Sequence, residues 1–213
     1  MVKNFFIAFF ALSVSTMAFS QETAKQTFKA PGMDDTLARH KTVAILPFNV
    51  SISYKKVPKN FDNEGNIAQE KKDGLALQGG MYTYLLRKAS NYSVTFQDPE
   101  RTNILLKKDS LFYKLSEILP DSLCKILKGD AIIKCNYAYE KTGSEAGAIA
   151  KTVLFGVGGK TASGALTMHI YNGSDGNLLW RFFKEMNEGV FSNANEMMER
   201  MMRKVSRNFP YEK

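Results

Sequence analysis

In the first part of the chain, the spacing of hydrophobic residues is first typical of a β-strand and then typical of an α-helix. Residues 43–48 are apolar on both faces, which is typical of a strand covered on both sides, and the run then alternates as far as Tyr54. After a polar loop, residues 67–89 carry an apolar residue every four positions, which predicts a helix. This helix contains three glycines, Gly74, Gly79 and Gly80, which lower its intrinsic helicity. Their presence indicates that the helix backbone approaches a sheet closely.

The remaining elements also alternate between the two periods. Short apolar runs predict a strand, one or two short helices broken near Pro120, a second strand, a hairpin and a closing helix. The hairpin turns at residues 172–177, whose Asn, Gly, Ser and Asp residues are typical of tight turns. In chain order, these elements are predicted over residues 93–96, 98–127, 131–140, 164–185 and 193–208.

This order of elements predicts an α/β fold. Strands and helices alternate along one chain, so we expect a single α/β sandwich in which helices pack on a mixed sheet of about five strands. The domain covers residues 41–210. Residues 21–40 are polar and contain Pro31-Gly32, and they predict a flexible leader.

The first twenty residues have the pattern of a secretory signal peptide. Lys3 supplies the positive charge, residues 5–14 are apolar, and Ala18-Phe19-Ser20 fits the site that signal peptidase cleaves. The apolar stretch is shorter than the ~20 residues that span a bilayer, although an uncleaved anchor helix is the alternative. No cysteine follows it, so the pattern predicts no attached lipid, and no later segment is apolar enough to span a membrane as a helix.

The charge of the chain is positive, with a formal value of +8. Such a balance suits an anionic partner such as lipid headgroups, an acidic glycan or nucleic acid. The lysines and arginines are scattered, with no run of five, which favours a solvated basic surface. The sequence has no nucleic-acid-binding motif, so we predict no nucleic-acid partner, whereas peripheral contact with a membrane is an option.

The titratable residues form no recognisable reactive constellation. Cys124 and Cys135 are the candidate pair for a disulfide in an exported protein, and two buried thiols are the alternative. With His40 in the leader and His169 in mid-strand, the two cysteines and two histidines form no metal-ligand cluster. His169 lies opposite the apolar face of its strand and is interpreted as structural. The sequence therefore predicts no catalytic residue, no metal and no cofactor.

A glycine-rich stretch, LFGVGGKTASG over residues 154–164, resembles a phosphate-binding loop only superficially. That loop needs a glycine five positions before Gly159, where this chain has Leu154, and it has to lead into a helix rather than a strand. The apolar, glycine- and alanine-rich residues 143–164 instead suit a loop over the sheet or a surface for a protein partner. On the second interpretation, the contact residues are Ile149, Val153, Leu154, Phe155 and Val157.

Several segments resemble a superfamily of bacterial envelope proteins. The sharpest marks are VAILPF in the first strand and GDAIIK at the start of the third, and SVTFQD, the hairpin and the closing helix add to them. The superfamily comprises the curli secretion-channel lipoproteins, the outer-membrane lipoproteins that activate penicillin-binding proteins, and the N-terminal domain of the Tol-system propeller protein. The resemblance covers residues 41–210.

The resemblance implies an anticodon-binding-domain-like fold and non-enzymatic work in scaffolding, assembly or regulation. We therefore expect an exported accessory protein, periplasmic or associated with the outer membrane, that contacts protein partners in the cell envelope. The alternative is an oligomeric component of an outer-membrane secretion assembly, and an envelope enzyme ranks third. The chain departs from the resemblance in its signal, which lacks a lipid-attachment cysteine, and in residues 140–164, which are too short for pore-forming hairpins.

Overall fold

The structure is a computed structural model, and it describes residues 25–141, 162–188 and 194–213. Seven strands form one mixed sheet in the order β1-β7-β6-β5-β2-β4, and β3 pairs with β5 beyond β2. The strands are β1 (Lys25–Lys29), β2 (Thr42–Ile45), β3 (Asn49–Tyr54), β4 (Thr95–Phe96), β5 (Ala131–Lys141), β6 (Ala162–Asn172) and β7 (Leu178–Glu188). The helices are α1 (Met33–Leu37), α2 (Asn63–Arg87), α3 (Pro99–Lys108), α4 (Pro120–Leu127) and α5 (Ala194–Val205).

This architecture confirms the predicted α/β class with helices packed on a mixed sheet. The sheet has seven strands rather than five because β1 joins it and because the first predicted strand is two strands, β2 and β3. Ile45 pairs with Ile133 and Asn49 with Asn136, so the chain at Leu46-Pro47-Phe48 contains one residue more than the opposing stretch of β5. Pro47 lacks an amide hydrogen, which suits a break in the ladder.

The core lies in two layers, one on each face of the sheet. On the first face, α2 and α5 cover alternate residues of the strands, including the fully buried Trp180 and Phe182. On the second face, α3 and α4 cover a smaller cluster around Leu46, Leu106 and Ile132. Among the described residues, this second cluster contains none from β1, β3 or β7. The second face is therefore covered by helices near β2 and more open toward β7.

The described part of the predicted leader is folded rather than loose. Residues Lys25–Lys29 pair antiparallel with β7, and α1 contributes Met33 and Leu37 to the first core. His40, assigned to the leader by sequence, is 7% exposed. Pairing with a strand more than a hundred residues away explains why the polar stretch gives no local signal of its structure.

Local chemistry explains several helix boundaries. Asp98 caps α3 by accepting a hydrogen bond from the Glu100 amide, and Pro99 occupies the first turn, where its missing amide hydrogen costs nothing.

Gly74 of α2 has its backbone against Phe48, whereas nothing lies within 4 Å of a Cβ placed on Gly79. The expectation of close approach is thus met at Gly74 and not at Gly79. None of the described helices is long and apolar enough to cross a membrane.

Candidate partner-binding site

An apolar groove follows one edge of the sheet, between the C-terminal end of α2 and strand β4. Its volume is about 260 Å³. Leu86 is 58% exposed in its wall, whereas the nearby Leu85 is fully buried. We call this the edge groove, and it is lined by Tyr82, Leu85, Leu86, Ala89, Tyr92, Ser93, Val94, Thr95 and Phe96.

Among the described strands, none lies beside one of the two hydrogen-bonding sides of β4. The Thr95 amide donates to the Lys41 carbonyl and the Gln97 amide donates to the Val43 carbonyl, each at 2.8 Å. Successive residues of a strand direct their backbone groups to opposite sides, so the amide and carbonyl of Phe96 face away from β2. Because β4 ends the strand order, this side of Phe96 lies along the edge groove.

Aromatic packing holds the floor of the edge groove. The rings of Tyr92 and Phe96 meet edge to face with centroids 5.4 Å apart, and both contact Phe209. Burial raises the pKa of Tyr92 to about 12, so its phenol stays neutral at ordinary pH. The floor is therefore apolar and uncharged, and it suits aliphatic or aromatic side chains.

The C-terminal segment supports the groove from the other side. Ser93 donates its amide to the Tyr211 carbonyl at 3.0 Å, and Lys213 donates its amide to the Asn91 carbonyl at 2.8 Å. Tyr211 is fully buried, and its hydroxyl lies 2.9 Å from Nδ1 of His40. The last residues of the chain thus fix the segment that leads into β4.

Hydrogen bonding determines which nitrogen of His40 carries the proton. Asn172 donates from its amide nitrogen to the Asp175 carboxylate, so its oxygen is left to face His40 Nε2 at 3.2 Å. That oxygen only accepts, so Nε2 donates and Nδ1 accepts from the Tyr211 hydroxyl. The neutral ring satisfies both bonds. Burial lowers the pKa of His40, although the bond to Asn172 and the charge of Asp130 oppose this shift.

We expect the free energy of unfolding to fall as the pH drops from 7.5 to 5.5. The folded-state pKa values of His40 and His169 are both lowered below 6.5, chiefly by burial, so the folded state favours the neutral rings. Their contribution is complete above pH 6.5 and is lost as the unfolded chain takes up protons below it. Urea unfolding at the two pH values measures the difference.

A double variant, His40→Gln and His169→Gln, is the control for this pH dependence. Its stability at pH 7.5 will be lower, but the change between the two pH values should shrink because the two titrating rings are gone. A wild-type stability that is constant or rises toward pH 5.5 would contradict the assignment of two neutral buried histidines.

The two cysteines lie in different parts of the core as free thiols. Cys135 belongs to the first cluster and Cys124 to the second, so the sheet lies between them. The candidate disulfide is therefore not formed, and the alternative of two buried thiols describes the structure. Burial raises the pKa of Cys124 to about 12, which keeps it a thiol.

The other residues singled out by sequence fall in two groups. Ile149, Val153, Leu154, Phe155 and Val157 lie outside the described residues, as do the predicted signal peptide and the glycine-rich stretch up to Thr161. His169 is described, and its side chain is half-buried and stacks on Tyr171 with centroids 5.7 Å apart. Within the described residues, no group of three or more His, Cys, Asp or Glu could hold a metal ion.

Sequence reasoning missed the edge groove. Leu86 lies one position after Leu85, which belongs to the apolar stripe of α2, and an exposed leucine beside a complete stripe is the signal that was present. The free side of Phe96 has no sequence signal, because it depends on β4 being the last strand of the sheet.

Comparison with known proteins gives structural neighbours only. No family model matches the chain, and no curated protein sequence matches it either. Lipoprotein GNA1162 from Neisseria meningitidis is 12% identical with a TM-score of 0.44, and the match covers 78% of this chain and 96% of that chain. A PelC dodecamer from Paraburkholderia phytofirmans is 13% identical with a TM-score of 0.41, over 89% of this chain and 96% of that chain.

A third neighbour is the LpoB C-terminal domain from Escherichia coli. It is 9% identical with a TM-score of 0.33, and the match covers 74% of this chain and 94% of that chain. A likeness at this level says nothing about function, which has to be inferred from the residues of this chain.

Proposed function

We propose that this protein is an exported, non-enzymatic accessory protein of the cell envelope that works through contacts with protein partners. The observation that carries the proposal is the edge groove, where an apolar cleft runs beside β4, the strand that ends the order of the described sheet. A surface of this kind binds an extended segment of another protein. On this proposal the protein assembles or regulates an envelope machine rather than transforming a substrate.

Strand addition explains how the edge groove would hold a partner. An extended segment beside β4 bonds its backbone to the outward amide and carbonyl of Phe96. Alternate side chains of the segment then point into the groove, where Leu86 and Tyr82 form the wall. Backbone bonds supply affinity, and the apolar groove selects the side chains.

The localisation part of the proposal rests on the sequence. The pattern of residues 1–20 supports export, and the absence of a cysteine after it supports a protein without an attached lipid. A signal peptide followed by a single domain is part of the same proposal, and the domain begins before residue 41 because β1 pairs with β7. Residues 149–157 are a second proposed contact surface, through the five apolar side chains named above.

A second candidate function is a subunit of an oligomeric export assembly. The observation that favours it is that β1 and β4 end the same sheet on opposite sides. Pairing of β1 from one copy with β4 of the next is a head-to-tail contact, which closes into a ring when the rotation between copies allows it. Light scattering on the purified protein separates the two candidates, because a ring has several times the mass of the monomer.

We expect Leu86→Asp to abolish capture of the partner by the edge groove. A charge in the wall has to be desolvated when the groove is filled, which would lower recovery of the partner by about tenfold or more. The measurement is crosslinking in intact cells followed by purification through a tag after Lys213. The matched control is Ile104→Asp, since Ile104 on α3 is 57% exposed and Leu86 is 58% exposed.

The outcome of this experiment separates the surfaces. Loss of one envelope complex in Leu86→Asp, with full recovery in Ile104→Asp, supports the edge groove. Equal recovery in both variants contradicts it. A further variant without residues 146–158 tests the second surface, and recovery of only the monomer from every version contradicts the accessory function itself.

A further inference from the structure

Three basic side chains lie in one row across the open part of the second sheet face. Lys134 of β5 pairs with His169 of β6, and His169 pairs with Arg181 of β7. Side chains paired in this way point to the same face. His169 points to the other face of the sheet from its neighbours Met168 and Ile170, which belong to the core under α2 and α5. The row therefore faces away from these two helices. The three side chains are half-buried.

This row is electrostatically unfavourable for the isolated protein. Lysine and arginine flank His169 on both sides, so protonation of the ring would place like charges directly opposite each other, which destabilises a sheet. Within the described residues, neither Lys134 nor Arg181 forms an ion pair. The acid nearest to Arg181 along β7 on this face is Glu185, four residues on, which is about 13 Å along the strand. In the part of the chain that the structure describes, the row therefore has no ion-pair partner.

The histidine in the middle of the row shows the effect of its neighbours. Burial lowers the pKa of His169 and the charges of Arg181 and Lys134 lower it further, although a hydrogen bond with the Lys134 backbone opposes this shift. Its Nδ1 atom is buried and has no hydrogen-bond partner among the described residues. A buried polar atom without a partner is unusual in folded proteins. An anion in the row would relieve the charge repulsion.

Polar and aromatic side chains extend the row. Asn136 and Thr167 pair with each other two residues further along β5 and β6, on the same face, and Thr167 pairs with Phe183 of β7. The Arg181 guanidinium lies 5.8 Å from the centre of the Phe183 ring, which holds it against the sheet. The cations thus sit beside hydrogen-bond donors on a rigid sheet.

We propose that Lys134, His169 and Arg181 form a binding site for a phosphate group. The outer two strands of the row are about 10 Å apart, so the long side chains of Lys134 and Arg181 both reach the middle position above His169. An arginine fork, an ammonium and an imidazolium together match the charge and oxygens of a phosphate dianion. The site lies on the sheet face, away from the edge groove, and does not depend on the function proposed above.

The test follows His169 by NMR in the purified full protein. Inorganic phosphate is titrated at constant ionic strength, and the shift of the His169 ring Hε1 proton is recorded. We expect a saturable shift and a rise in the pKa of His169, because the bound anion favours the imidazolium. A second titration with glucose 1-phosphate distinguishes free phosphate from an esterified one. Equal affinity for the two compounds means that only the phosphate group is recognised, and tighter binding of glucose 1-phosphate means that the sugar is contacted as well.

The test variant carries both Lys134→Gln and Arg181→Gln. The control variant carries Lys56→Gln and Lys59→Gln, which remove the same amount of positive charge elsewhere on the protein. The first pair should weaken phosphate binding by about tenfold or more, since each removes a charge-assisted hydrogen bond. It should also fold normally, because it relieves like-charge repulsion. The proposal would be overturned if the His169 proton shifted linearly with phosphate concentration without saturating, or if the two double variants bound phosphate equally well. It would also be overturned if an acidic peptide bound at the row in place of phosphate.

Discussion

Replacing Tyr211 with alanine is expected to destabilise the protein by about 3–5 kcal/mol, as removal of a fully buried aromatic side chain does in other cores. Tyr211 is 0% exposed, and its ring meets those of Phe96 and Phe209. The change leaves a cavity behind the edge groove and also removes the hydroxyl that donates to His40. Urea denaturation followed by tryptophan fluorescence measures the loss, since Trp180 is the one tryptophan of the chain.

The conservative variant Tyr211→Phe isolates the hydrogen bond from the packing. It keeps the ring and leaves Nδ1 of His40 as a buried acceptor without a donor, which costs about 1–3 kcal/mol. The alanine variant should therefore be clearly less stable than the phenylalanine variant. If the alanine variant is as stable as wild type, the C-terminal segment does not belong to the core.

Replacing Gly74 with alanine is expected to destabilise the protein by about 2–3 kcal/mol, as overpacking does in a rigid core. A Cβ at this position would overlap the carbonyl oxygen of Phe48, which is backbone and cannot rotate away. The Gly74 carbonyl also accepts the hydrogen bond from the Phe48 amide at 3.2 Å, so α2 and the start of β3 would have to separate. Thermal unfolding measures the effect.

Gly79→Ala is the matched control on the same helix. Nothing lies within 4 Å of a Cβ at Gly79, so the methyl group meets no neighbour. Alanine is the better helix former, and this variant should gain about 0.5–1 kcal/mol. Opposite signs for the two variants would locate the close contact at Gly74, whereas equal effects would contradict it.

Elements with local signals were predictable from the sequence. The turn at Asn172 and the two strands around it, the stripe of α2 and the break at Pro120 all depend on residues close together in the chain. The methionines of α5 are core residues, as their spacing indicates, with Met198, Met201 and Met202 all buried. In each case, periodicity or turn chemistry determines the structure locally.

Features that depend on distant pairing were not predictable in this way. All five residues of β1 are exposed, so KQTFK has no period that marks it as a strand, and only its pairing with β7 makes it one. The row of Lys134, His169 and Arg181 exists because the registers of two strand pairs coincide. A shift of one residue in either pair would move a side chain to the other face.

The partners of β1 and of residues 91–93 lie far away along the chain, which affects how the protein folds. Strand β1 is completed only when β7 has been made, and the segment before β4 is completed only by residues 211–213. These contacts join residues far apart in sequence, and chains dominated by such contacts close their loops late and fold slowly. A ribosome-bound chain therefore cannot complete the sheet before β7 has emerged, and residues 91–93 gain their backbone hydrogen bonds only when residues 211–213 have followed.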